Sequence, residues 1–134
     1  MMLKISILSL AATLAFASPS LAEFSFTFDW KGLKLCTTGQ PNTVANPRFK
    51  LRDVPDGTTY VQFKLKDLDV PGYNHGGGWI EVSADGTVPA NAFTYQSPCP
   101  PSGSHDYEWT ATARTKKGGG KKLAVAKSRR AYPE

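Results

Sequence analysis

Residues 95–107 read Tyr-Gln-Ser-Pro-Cys-Pro-Pro-Ser-Gly-Ser-His-Asp-Tyr, and their reading decides the fold. Pro98, Pro100 and Pro101 hold φ near about −65° and lack backbone donors, so residues 98–101 form neither a helix nor a central strand. A stiff exposed loop is expected there. Directly after it a strict alternation begins, with Tyr107, Trp109, Ala111 and Ala113 on one face and Glu108, Thr110, Thr112 and Arg114 on the other. That period of two predicts a central β-strand. A rigid wall joined to a strand that opens with His105 and Tyr107 is how a small binding pocket is built.

The same period recurs upstream. Phe24, Phe26, Phe28 and Trp30 alternate with polar residues and predict a first strand. Phe49 and Leu51, then Pro55-Asp56-Gly57, then Val61, Phe63 and Leu65 read as a hairpin with one dry and one wet face. Trp79, Ile80 and Val82 predict a short buried strand, followed by a turn at Asp85-Gly86. Residues 116–122, rich in Lys and Gly, read as a flexible loop, and the mixed pattern of 123–132 fits a helix or a strand. About six short strands, close turns and no amphipathic helix of more than a few turns predict an all-β sandwich or barrel-like domain. No internal repeat is present.

Met1 to Ala22 carry one charge, Lys4, an apolar run from Ile5 to Phe16, and small residues at Ser20 and Ala22. This is the pattern of a secretory leader, and its apolar part is too short to span a bilayer. A buried helix would need a polar face that Ile5 to Phe16 hardly offers. With 1–22 removed as a signal peptide, 23–134 remains, 112 residues of the 134, enough for one domain with one modest core. A periplasmic or secreted location is expected, with no transmembrane segment after processing. Cys36 and Cys99 are then expected to form a disulfide. The alternatives are a free thiol on the Pro-rich loop or a metal ligand, although two sulfurs without a nearby His–Cys cluster make a poor zinc site.

Among residues 23–134 there are 15 basic and 11 acidic side chains, a net +4, and Lys116, Lys117, Lys121, Lys122, Lys127, Arg129 and Arg130 crowd the end of the chain. A solvated basic surface explains this; a contact with an anionic partner is the sharper reading. The polar residues to weigh as a site are Asp67, Asp69, His75, Tyr95, His105 and Tyr107, which lie at strand ends and in loops. No pair has the i, i+4 spacing of a helical metal site, no nucleophile motif accompanies Ser102 or Ser104, and no cofactor signature is met. An enzyme, a metal site and a cofactor are therefore not expected. Gly76 to Gly78 could cradle an anion or mark a close approach of two backbones.

Residues 67–71 (Asp-Leu-Asp-Val-Pro), His75, and the run from Tyr95 through Pro100, Pro101, His105 and Tyr107 to Trp109 together resemble the phosphatidylethanolamine-binding protein family, in its bacterial kinase-inhibitor-like branch. The family's Asp-Pro-Asp-x-Pro element is similar to residues 67–71, its Gly-x-Cys-Pro-Pro-x-Gly-x-His-x-Tyr element to 97–107, and the bacterial Cys-x-x-Gly…Asn/Ser-Pro segment to Cys36 through Pro47. The likeness runs from Phe24 to Arg114. Leu68 stands where the family has Pro, Ser97 where it has Gly, and three glycines follow His75 where many members have Trp.

The resemblance implies an antiparallel β-sandwich of that type with an anion-holding cavity at one end, and in this short chain the C-terminal helices are expected to be reduced or absent. It places Asp67, Asp69 and Pro71 on one wall, His75 on a second, Cys99, Pro100 and Pro101 on a third, and His105 and Tyr107 at the floor. The implied function is an exported, non-enzymatic binding protein for a small anionic or phosphorylated ligand, such as phosphate or a phospholipid headgroup. The alternative is an interaction or inhibitor module that turns the Pro-rich loop and the basic segment toward an acidic protein partner. Nucleic acid is not an expected partner.

Overall fold

A computed structural model describes residues 11–14 and 22–134. Apart from residues 11–14 and 22, the leader expected over 1–22 lies outside them. Nine strands follow in order: β1 (Ser25–Thr27), β2 (Thr43–Ala45), β3 (Phe49–Arg52), β4 (Tyr60–Asp67), β5 (Gly77–Glu81), β6 (Gly86–Val88), β7 (Thr94–Gln96), β8 (His105–Lys116) and β9 (Gly119–Tyr132). There is no helix among the described residues. The strands form a three-stranded sheet β1-β3-β6, a four-stranded sheet β5-β4-β8-β9 and a two-stranded ribbon β2-β7, with every pairing antiparallel.

The core lies between the two larger sheets, because each strand turns one alternating face inward. Phe26, Phe49, Leu51 and Val88 come from the first sheet; Val61, Phe63, Leu65, Trp109, Ala111 and Ala113 come from the second. Phe49 and Phe63 stack with ring centroids 4.2 Å apart, and Trp109 meets Phe49 edge-on at 5.2 Å. Burying each such ring contributes about 1.5–3 kcal/mol.

Three expectations change, and one left open is decided. β3 and β4 are not a hairpin: β3 pairs with β1 and β6, and β4 with β5 and β8. The Pro55–Thr58 turn forms, with the Thr58 N–H donating to the Pro55 carbonyl at 3.2 Å, but it carries the chain from one sheet to the other. Facing dry sides across a sandwich buries both apolar rows, whereas pairing edge to edge would put both on one face of one sheet. Residues 116–122 are not a flexible loop but a tight turn at Lys117-Gly118 with its flanking strands, where Gly118 and Gly120 adopt φ of 72° and 68°. Residues 123–132 complete the 14-residue strand β9. The Trp79 strand is an edge strand whose apolar residues are only half-buried.

The Pro-rich segment also differs from expectation. Ser97 to Pro100 are buried and only Pro101 to Ser104 are exposed. Pro98 and Pro100 have no N–H to satisfy, so burying them strands no donor. The segment is tied down by the Cys36–Cys99 disulfide and by the Ser97 N–H, which donates to the Asn42 carbonyl at 2.8 Å.

Candidate functional site

The inward row of β4 runs Val61, Phe63, Leu65, Asp67, and that of β8 runs His105, Tyr107, Trp109, Ala111. Their register sets Leu65 opposite Trp109 and Asp67 opposite Tyr107. The core face therefore turns polar at its last rung, where a carboxylate, a phenol and an imidazole come together. Asp67 and Tyr107 are 4% and 1% exposed.

Asp67 is saturated with donors. Its Oδ2 accepts from His105 Nδ1 at 2.7 Å, and its Oδ1 accepts from the N–H groups of Asp69 and Val70 at 2.9 and 3.1 Å. Burial alone would push the carboxyl up; the His105 hydrogen bond and the two backbone donors outweigh it and hold its pKa below the ordinary aspartate value. Asp67 is thus ionised, and His105 carries its proton on Nδ1. That leaves Nε2 as the ring nitrogen available to a ligand, on a side chain 18% exposed.

Tyr107 is pushed above the ordinary tyrosine value, first by burial and then by the Asp67 carboxylate. It stays a neutral phenol beside the Asp67 carboxylate and the Cys99 backbone. His75 completes the group, its ring edge-on to Tyr107 at 5.6 Å. Its Nδ1 donates to the Gln96 carbonyl at 2.7 Å, while the Gln96 N–H donates to the His75 carbonyl at 2.8 Å. Burial lowers the His75 pKa, against a partial opposing pull from the Gln96 carbonyl and Asp67. The ring is neutral, with a lone pair on Nε2.

Asp69 lies beyond the end of β4 and does not share a strand face with Asp67; its Oδ2 accepts from the Asp106 N–H at 2.8 Å. Ligand atoms of Asp67, Asp69 and His105 lie within 4.8 Å of one another. Asp67 is engaged at both oxygens and His105 at Nδ1, so this trio reads as a hydrogen-bonded cluster whose spare positions are His105 Nε2 and one oxygen of Asp69.

Of the remaining candidates, Cys99 and Pro100 are buried behind Tyr107, and Pro71 and Pro101 are exposed on turns. Pro101 packs toward Gly39. Tyr95 sits elsewhere, edge-on to Trp109 at 4.9 Å, lining a separate cleft of about 380 Å³ with Trp30, Leu33 and Val44. Three contributors were not found from the sequence: the Gln96 carbonyl, Tyr73, whose ring lies 4.5 Å from His75, and Tyr132, whose hydroxyl accepts from the Cys36 N–H at 2.8 Å. A backbone carbonyl leaves no signal in residue types, whereas an aromatic two positions before a histidine does.

Of Gly76 to Gly78, the last two mark a close approach. A Cβ on Gly77 would stand 1.8 Å from the Phe63 carbonyl oxygen, and one on Gly78 would stand 2.4 Å from the Phe93 ring.

Two solved structures are similar in fold. One is a phosphatidylethanolamine-binding protein homolog, CT736, from Chlamydia trachomatis, with a TM-score of 0.57 and 15% identity, over 84% of this chain and 98% of that one. The other is YbcL from E. coli, described as a new member of the mammalian phosphatidylethanolamine-binding protein family, with a TM-score of 0.60 and 19% identity, over 83% of this chain and 98% of that one. No family model and no curated protein matches the sequence. Taken with the motifs at 67–71 and 97–107, the likeness makes this chain a protein of the phosphatidylethanolamine-binding protein fold.

Proposed function

We propose that the chain is an exported, non-enzymatic binding protein of the phosphatidylethanolamine-binding protein family, and that Asp67, Asp69, His75, His105 and Tyr107 hold a small phosphorylated group of the phospholipid-headgroup type. The observation that carries this reading is the Asp67–His105 hydrogen bond of 2.7 Å, which orients the ring and leaves Nε2 as a directed contact beside His75 and Tyr107. A ring nitrogen donates to a phosphate oxygen when it carries a proton, which His75 Nε2 would take up with the ligand, and the spare Asp69 oxygen suits an amine on the same ligand. Export is supported by the leader pattern and by the Cys36–Cys99 disulfide. The non-enzymatic reading is supported by Ser104, whose hydroxyl donates to the Pro133 carbonyl at 2.8 Å instead of pairing with the neighbouring His105.

An inhibitor surface made jointly of the Pro-rich loop and the basic segment is less well supported. Lys116, Lys117, Lys121 and Lys122 lie at the far end of β8, whose 12 residues span roughly 36 Å at about 3.3 Å per residue, and Arg129 and Arg130, which lie nearer the loop, are paired with Glu108 and Glu134. Calorimetry with phosphate and phosphoethanolamine tests the reading. Binding is expected to be lost in His105→Ala and kept when Lys116, Lys117, Lys121 and Lys122 are changed to Gln. The opposite pattern would sink it, and turnover of a phosphoester panel that His105→Ala abolishes would overturn the non-enzymatic part.

A further inference from the structure

The outer face of the four-stranded sheet carries nearly all of the molecule's charge imbalance. Register fixes its rows: Lys66, Glu108 and Arg129 across β4, β8 and β9; Lys64, Thr110 and Lys127; Gln62, Thr112 and Val125; Tyr60, Arg114 and Lys122. Lys64, Lys66, Arg114, Lys116, Lys122, Lys127 and Arg129 are opposed on that face by Glu81, Asp106 and Glu108, a net of +4. That equals the net charge of residues 23–134, so the rest of those residues carries eight charges of each sign.

The cations form two rails. Lys64 and Lys66 lie on β4, with Lys127 and Arg129 on β9, about 10 Å away across two strand spacings. Lys127 and Arg129 are 62% and 60% exposed and share one carboxylate, Glu108, at 3.8 and 3.3 Å, which leaves the row positive. Between the rails, beyond Glu108, stand Thr110 and Thr112, whose hydroxyls both donate and accept, and Gln62 continues the β4 rail.

The geometry points to this face as a docking surface for an acidic polysaccharide. Charge complementarity calls for a polyanion, and the hydroxyls of the midline with the neighbouring Gln62 amide suit a chain rich in hydroxyls. Single-stranded nucleic acid fits less well, because it needs aromatic platforms for its bases. The midline has none, and the ring of Trp79 is faced by the Arg114 guanidinium at 5.8 Å. An anionic bilayer fits less well too: Val125 is the sole strongly exposed large apolar side chain among the face's described residues, too little to anchor in lipid.

The test measures binding of the purified protein to dextran sulfate, uncharged dextran, phosphatidylglycerol vesicles and single-stranded DNA. It compares K64Q/K66Q/K127Q with K31Q/K34Q/K50Q, which removes as much charge elsewhere, after equal thermal unfolding shows that both fold. The face variant is expected to lose at least about tenfold in dextran sulfate affinity and to flatten its salt dependence, while the control changes by less than about twofold. Equal losses in both variants, equal binding to uncharged dextran, or tighter binding to vesicles or DNA than to dextran sulfate would overturn the assignment.

Discussion

His75 donates Nδ1–H to a carbonyl that can only accept, and burial depresses its pKa, so in the folded chain the ring resists a second proton. In the unfolded chain it does not. Between the two pKa values the unfolded state binds more protons, so His75 contributes stability that is complete above about pH 6.5 and lost as pH falls through that range. Asp67 adds a second acid limb: its depressed pKa gives stability that is present above pH 3.8 and lost as its carboxyl protonates below that. Thermal unfolding scanned from pH 7.5 to 5 should show a falling midpoint that His75→Gln flattens, since an amide can still bond the Gln96 carbonyl but does not titrate there. A variant with the same slope would show that another group carries it. A bound phosphate has the contrary effect, because an anion at Nε2 favours imidazolium, so affinity is expected to rise over the same descent in pH.

Strands were legible from the sequence where side chains alternate, and partners were not. Phe49, Phe63 and Trp109 announce their inward faces, yet nothing in their spacing says that the turn at Pro55–Thr58 joins two sheets instead of two neighbours. That choice is made by packing between distant segments. β9 escaped for a related reason: only Ala126 and Tyr132 of its 14 residues are buried, so it has almost no apolar period to read. At the site, Asp67, His75, His105 and Tyr107 were legible as residue types in loops and at strand ends, and register then brought them together; the Gln96 carbonyl that fixes His75 was not. The glycines after His75 were legible as a pair of alternatives, and the backbone contact decides between them. Gly77→Ala drives a methyl into the Phe63 carbonyl, a rigid neighbour in the β4–β5 ladder. Overpacking of this kind costs about 1–3 kcal/mol. Chemical denaturation should therefore show Gly77→Ala clearly destabilised, with Gly72→Ala, which meets no atom within 4 Å, close to the parent. Equal stabilities would refute the close approach.

For the molecule as a whole, one covalent link joins parts of the chain that the sheets do not pair. Cys36 and Cys99 are 63 residues apart, and the Cys36 N–H is held by Tyr132 at the far end of β9. Thr38, two residues beyond Cys36, donates its N–H to the Cys99 sulfur at 3.3 Å. The Cys99 backbone lies beside the Tyr107 phenol, so the same closure that limits the unfolded chain also ties down the segment next to the floor of the candidate site. In the chain-entropy account, closing a loop of that length contributes about 4 kcal/mol, and for a domain of this size that corresponds to roughly 15 °C in the unfolding midpoint. The double variant C36A/C99A is expected to unfold at a midpoint lower by about that amount and to exchange its Cys99-segment amides faster than those of β4 and β8. If the midpoint moved by only a degree or two, the buried prolines and the Ser97–Asn42 hydrogen bond would suffice to hold the segment, and the disulfide would be superfluous to the fold.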